Sequence, residues 1–299
     1  MSSVSDAFRV THRSVGLRAL QGLQHNLARV GDLQEKLSSG KDVSRPSDSP
    51  AAATASLRFR GEVRTTEQYS RNADDGIGWL GTIDNALTSS LGGLNRVREL
   101  ALSGKNTGAM TATARQAMAV EVDRVREGLV DLANTRYLDR PVFGGTVPGS
   151  TAYAADGTYV GDGGSVRRTV ADGVSLRVDV TGPEVFGTGA DSIFAVLAEV
   201  ADHLRTDPGA LAGDLDRLDA ALARVRDQLA DVGSRYGRLE QARSAADLRV
   251  DSLRSALSGV EDIDLPKTIV ELQMQQAAYE AALGATQRVV QPSLVDFLR

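Results

Sequence analysis

With 299 residues, 41% of them hydrophobic but only 4% aromatic, and 24% charged, the chain has material for about two domains, and its Ala- and Leu-rich composition suits long helices with narrow apolar seams better than a thick enzyme core. A net charge of −5 argues against nucleic-acid partners, whose phosphates call for clustered Lys and Arg. The lack of cysteine removes disulfides, thiolate catalysis and cysteine-based zinc or iron–sulfur centres.

No run approaches the roughly 18 apolar residues of a membrane span, and no basic segment followed by an apolar stretch opens the chain. Neither a membrane partner nor a cleaved signal peptide is expected. The first predicted helix carries Leu20, Leu23, Leu27, Val30 and Leu37 at the alternating three-and-four spacing of a coiled-coil seam, with Gln34 in its one polar position. It closes at Ser38-Ser39-Gly40. Arg45, Pro46, Ser47, Asp48, Ser49 and Pro50 then combine turn formers with a helix start, Ser49 as cap and Pro50 in the first turn, so a hinge is expected there.

A second helix is expected from about Ala51 to about Ser103, with Ile77, Leu80, Ile83, Leu87, Leu91, Leu94, Val97 and Ala101 on one side. A third carries Met118, Val122, Val125, Leu129 and Leu132, and the Gly-, Asn- and Thr-rich stretch between them joins antiparallel neighbours. From Phe143-Gly144-Gly145 to Gly187 the period changes. Val174, Leu176, Val178 and Val180 alternate with Ser175, Arg177 and Asp179, and Asp172-Gly173 before them is a two-residue hairpin signal.

Helical spacing returns after Asp191. From Leu215 the seam runs through Leu218, Leu222, Val225, Leu229, Val232, Tyr236 and Leu239 to Ala246, Val250, Leu253, Leu257 and Val260, with only Arg243 breaking the apolar series. Such a helix is about 70 Å long and must stand alongside others. Glu261 to Pro266 interrupts it, and the last segment presents Ile269, Leu272, Tyr279, Leu283 and Val290 on one face.

These elements define a mainly α fold: a long-helix coiled-coil bundle formed by N- and C-terminal halves, with a small inserted β module. The expected division is 1–46 plus 261–299 as a terminal helical layer, 47–143 plus 188–260 as the bundle body, and 144–187 as the outer β module. Neither terminal seam has a covering element next to it in sequence. The two must therefore cover each other, a second chain, or both, and Leu20, Leu23, Leu27, Val30, Leu37, Ile269, Leu272, Tyr279, Leu283 and Val290 are the expected assembly interface.

Catalytic, metal and cofactor chemistry finds no foothold in the pattern. His12, His25 and His203 lie in separate segments without the i, i+4 partner or nearby carboxylate of a zinc site, and read as solvated or partly packed. Gly161-Asp162-Gly163-Gly164 falls within β sequence rather than opening a helix, and reads as a turn. Gly40-Lys41 and Gly104-Lys105 lack the rest of a phosphate loop; each reads as a helix C-terminal glycine followed by a solvated lysine.

Five stretches resemble the flagellin family and, within it, the branch of hook–filament junction proteins. They are Arg9-Val10-Thr11; Leu33-Gln34-Glu35-Lys36-Leu37-Ser38-Ser39-Gly40-Lys41; Arg45 to Pro50; Asp131-Leu132-Ala133-Asn134-Thr135 leading to Phe143-Gly144-Gly145-Thr146; and the tail from Tyr279-Glu280-Ala281-Ala282-Leu283 to Asp296-Phe297-Leu298. The Leu-Ser-Ser-Gly stretch is shared with flagellin itself, whereas Arg-Pro-Ser-Asp-Ser-Pro and Phe-Gly-Gly-Thr resemble the junction branch. The resemblance implies a non-enzymatic structural subunit of the bacterial flagellum, extracellular and exported without a cleaved signal. It also implies partners: copies of itself in a ring or helical layer, the first hook-associated protein, flagellin, an export chaperone and the type III export apparatus. Competing readings are a flagellin filament subunit, a cytoplasmic coiled-coil scaffold, and an enzyme with a hydrolase domain in the insert, for which the insert is too short.

Overall fold

A computed structural model describes residues 3–106, 110–147, 149 and 151–290, apart from the side chains at 3–13, 15, 16 and 288–290. The chain is mainly α, as its periodicity requires. Its helices are α1 (Ser3–Ser39), α2 (Pro50–Gly104), α3 (Ala112–Ala133), the short α4 (Gly182–Phe186), α5 (Ile193–Thr206), α6 (Leu211–Glu261) and α7 (Leu265–Val290). Two antiparallel hairpins complete it, β1 (Arg136–Tyr137) with β2 (Arg140–Pro141) and β3 (Arg167–Ala171) with β4 (Val174–Arg177). The described residues form two compact units, Met1–Val63 with Asp251–Arg299 and Arg64–Val250, divided within α2 and α6.

In the Arg64–Val250 unit the apolar spacing has become core. Leu80, Ile83, Leu87, Leu94, Val97 and Ala101 of α2 are buried with Val122 and Leu129 of α3 and with Leu218, Leu222, Val225, Val232 and Leu239 of α6. Helix α5 packs on α3, its start fixed by Ser192 Oγ accepting from Ala195 N at 3.1 Å. Helix α3 starts in the same way, Thr111 Oγ1 accepting from Ala114 N at 3.2 Å. Arg243, the one break in the α6 seam, is exposed and reaches Asp74 at 2.9 Å, so its charge sits on the rim rather than in the core.

The segment 144–187 has no core of its own. Tyr153, Val166, Val170, Val178, Val180 and Phe186 belong to the same buried cluster as the helices, with Tyr153 against Phe194 of α5 at 5.1 Å between ring centroids. Asp172-Gly173 makes the expected two-residue turn between β3 and β4, Gly173 adopting φ 67°. The alternation beyond β4 departs from a simple in–out pattern. Asp179, expected on the polar side, is fully buried, because Val166 N donates to its Oδ1 at 2.9 Å and Arg177 Nε at 3.0 Å.

One further sequence expectation needs correction. His203 does have a carboxylate beside it: its Nδ1 lies 2.6 Å from Asp214 Oδ2, which raises the histidine pKa. The partner comes from α6, out of reach of local sequence. Among the described residues no group of three or more His, Asp or Glu could hold a metal. Gly104 does end α2, with exposed Lys105 after it as expected, but without a left-handed backbone; a Cβ there would meet Leu204 Cδ2 at 2.2 Å.

Candidate assembly surface

In the Met1–Val63 and Asp251–Arg299 unit, α1 and α7 pack against each other antiparallel. On α1 the covered positions are Ala19, Leu23, Asn26, Val30, Leu33 and Leu37; on α7 they are Thr268, Leu272, Gln275, Tyr279, Ala282, Leu283 and Thr286. Both follow three-and-four spacing. A polar pair crosses this seam, Gln275 Nε2 donating to Asn26 Oδ1 at 3.1 Å, the kind of contact that fixes the register of two helices at some cost in stability.

The expected interface therefore divides. Leu23, Val30, Leu37, Leu272, Tyr279 and Leu283 lie in the seam that closes within the chain. Leu20, Leu27 and Ile269 do not: they are 53%, 54% and 45% exposed. The side chain of Val290 lies outside the described residues. The physical reason is that two heptad frames share Leu23, Val30 and Leu37. The frame read from the sequence adds Leu20, Leu27 and Gln34; the frame adopted adds Ala19, Asn26 and Leu33 and so trades a glutamine for a leucine in the covered row. Leu17, Leu20 and Leu27 are left as a second apolar stripe on α1, and Ile269, Val270 and Met274 form an exposed apolar patch on α7.

The hinge residues form an ordered turn. Asp48 Oδ2 accepts from Arg45 N at 2.8 Å and from Ser44 N at 3.2 Å, and these backbone donors hold the carboxyl below its ordinary pKa. Ser49 Oγ accepts from Ala52 N at 3.3 Å as the cap of α2, which begins at Pro50, while Arg45 pairs with Glu35 at 3.2 Å. Between this turn, α1 and α7 lies a groove of about 640 Å³ lined by Arg29, Asp32, Leu33, Lys36, Met274 and Gln275 among others.

Gly40 ends α1 at φ 70°, its N–H donating to Lys36 O at 2.8 Å, as a left-handed C-terminal glycine should. Lys41, however, is no solvated lysine. Its ammonium lies 2.5 Å from Asp262 and 3.3 Å from Glu261, while Asp42 N donates to Glu261 O at 2.7 Å and Ile263 N to Gly40 O at 3.1 Å. Glu261 is the hub. Its side chain, 5% exposed, receives Arg60 Nε at 2.8 Å, Arg60 Nη2 at 2.8 Å and the Ser56 hydroxyl, and the Arg60 guanidinium foremost lowers its pKa to about 2. This clasp ties the end of α1 and the first turns of α2 to the break between α6 and α7. Sequence reasoning missed it, because the five side chains come from three separate segments.

The Phe143-Gly144-Gly145-Thr146 stretch has an equally local cause in the other unit. Thr146 N and Oγ1 both donate to Asp162 at 2.6 Å, and Gly145, at φ 73°, passes so close that a Cβ would lie 2.1 Å from Asp162 Oδ1.

The bacterial flagellin N-terminal helical region, as a family model, matches residues 10–145. Flagellin of Bacillus subtilis (strain 168) is 28% identical over 302 aligned residues that cover 95% of this chain and 99% of that protein. The chain is thus similar to flagellins over nearly its whole length. It is also 23% identical to flagellar hook-associated protein 3 of Escherichia coli (strain K12), over 89% of its own length and 92% of the relative's. Its fold is that of a putative flagellar hook-associated protein from Vibrio parahaemolyticus, with a TM-score of 0.65, 21% identity and coverage of 72% of this chain and all 100% of that one. It is a flagellar structural protein, and among its described residues no helix is long and apolar enough to cross a membrane.

Proposed function

We propose that this chain is a junction subunit, seated between the first hook-associated protein and the flagellin filament, where copies of it form a ring or helical layer. The observation that carries this reading is the Arg45–Pro50 turn, whose sequence resembles the junction branch and whose Asp48 carboxylate is committed to the backbone of Ser44 and Arg45. Leu17, Leu20, Leu27, Ile269, Val270 and Met274 supply an exposed apolar surface on which α1 and α7 can meet neighbouring subunits. Residues 1–46 with 261–299 act as the inner layer, the remaining helices as the body, and 144–187 as its outer part. The Arg45–Pro50 hinge adjusts the one to the other. Before assembly the chain is handed by an export chaperone to the type III export apparatus and leaves the cell without a cleaved signal.

A second reading, a filament subunit, draws support from the identity to Bacillus subtilis flagellin, which exceeds that to the Escherichia coli hook-associated protein. Deleting the gene separates the two. A junction subunit leaves hooks without filaments and flagellin lost to the medium, and its purified chain does not elongate on seeds. Long filaments grown from the purified chain on seeds would establish the filament role instead.

A further inference from the structure

The most strained backbone in the described chain lies at an exposed tip. The turn between β1 and β2 is made by Leu138 and Asp139, both at positive φ, 45° and 62°, in positions that hairpins normally give to Asn-Gly or Asp-Gly. Leu138 is 74% exposed, more than any other large apolar side chain described, and the Asp139 side chain is 97% exposed with its nearest cation, Arg136, 3.7 Å away. The base of the hairpin is firm: Tyr137 packs edge-on against Trp79 at 5.7 Å, and the Arg140 guanidinium lies 5.5 Å from the same ring. Within its own subunit the tip is held by Arg136, whose guanidinium donates to Asp139 O at 2.5 Å, while the Leu138 side chain and most of the Asp139 carboxylate stay open to solvent.

The same unit carries a concavity of the opposite character. A pocket of about 230 Å³ is lined by Arg167, Arg177, Arg235 and Arg238. Arg167 and Arg177 face each other directly across β3 and β4, an arrangement of like charges that disfavours the hairpin unless anions answer it. Asp179 and Glu184 answer Arg177, and Asp231 answers Arg235. Arg167 and Arg238 have no carboxylate within ion-pair distance among the described residues, in a chain whose net charge is −5.

Tip and pocket cannot meet within one subunit. Successive side chains on a strand point to opposite faces. Arg168 turns toward Asp75 on α2, at 2.6 Å, the side on which Tyr137 lies against Gly78; Arg167 turns the other way, toward α6. We infer that the Leu138–Asp139 tip of one copy docks on the arginine pocket of the next, Asp139 supplying the carboxylate that Arg167 and Arg238 lack. Such a contact is heterologous, so it propagates from subunit to subunit rather than closing a pair. It rests on the reading that copies of this chain stand side by side.

The absence of cysteine makes the test clean. Chains with Asp139→Cys and chains with Arg238→Cys are co-expressed, and flagella are treated with a short bismaleimide, since an Asp–Arg pair holds its Cα atoms farther apart than a disulfide spans. Covalent dimers at least about fivefold more abundant than in flagella carrying either variant alone are expected. Leu27→Cys chains serve as the reference: if these link to one another while the mixed pair does not, side-by-side assembly stands and the tip-to-pocket contact is overturned. If neither pair links, both readings fall. A melting temperature of the free chain that rises with inorganic phosphate and no longer does so in Arg238→Gln, with the mixed pair unlinked, would make the pocket a small-anion site and also overturn the contact.

Discussion

Glu261→Gln is the substitution whose consequence can be worked out most fully. The carboxylate sits at about pKa 2 against an ordinary 4.5, chiefly through the Arg60 guanidinium, so its charge favours the folded state by about 3 kcal/mol if the whole shift is counted. Arg60 and Lys41 are 55% and 42% exposed at their side chains, and solvent screens both, which brings the expected contribution to about 1–2 kcal/mol. A carboxylate depressed in the fold stabilises fully above its unfolded pKa. The benefit is lost as the pH falls from about 4.5 through about 2.

The glutamine can still accept one hydrogen bond, but its amide nitrogen must face Arg60, Lys41 or the Ser56 hydroxyl. The effect should appear where the clasp holds the chain. Hydrogen exchange at Asp42 and Ile263, whose N–H groups donate to Glu261 O and Gly40 O, should speed up about tenfold at neutral pH in the variant, one factor of ten for each 1.4 kcal/mol. The difference should shrink steadily toward about pH 3. Equal exchange at neutral pH, or a difference that does not change with pH, would refute the reasoning and leave Glu261 as a packing residue.

Leu27→Asp, on the exposed side of α1, should change the melting of the free chain by less than about 0.5 kcal/mol, whereas Leu23→Asp, in the α1–α7 seam, should cost about 2 kcal/mol or more; both should abolish recovery of the subunit in isolated flagella. If both melt alike, the division between the inner and outer stripe is wrong. Phe186→Ala should cost about 3–5 kcal/mol in urea unfolding, because its ring is fully buried against Phe143, Tyr153 and Phe194, and an unchanged midpoint would show that the 144–187 segment folds apart from the helices.

What the sequence made legible follows from how many solutions each pattern admits. The α6 seam has one apolar frame, and from Leu215 to Val260 every seam position except Arg243 is buried or half-buried. On α1 two frames share Leu23, Val30 and Leu37, and local sequence cannot choose between them. The choice is made by α7, through Asn26 meeting Gln275, a contact between residues at opposite ends of the chain. The hairpin at Leu138–Asp139 was missed for a different reason. A turn is recognised by residues that favour positive φ, and here a leucine occupies such a position. Lys41, Ser56, Arg60 and Glu261 are each unremarkable in their own segments, so the clasp exists only once α1, α2 and α6 have been brought together.

The ambiguity on α1 has a physical use. A helix with a single apolar stripe must either close it inside the subunit, leaving nothing for neighbours, or keep it open and stay marginal as a free chain. Two stripes offset by one residue on the same helix relax that choice. Ala19, Leu23, Asn26, Val30, Leu33 and Leu37 engage α7, while Leu17, Leu20 and Leu27 remain outside. The inner seam is only half-buried and carries the Asn26–Gln275 pair, so it sets register more than it adds stability. Substantial additional apolar burial then becomes available when the outer stripe meets another chain, so that the subunit's own register is set before association adds most of the stability.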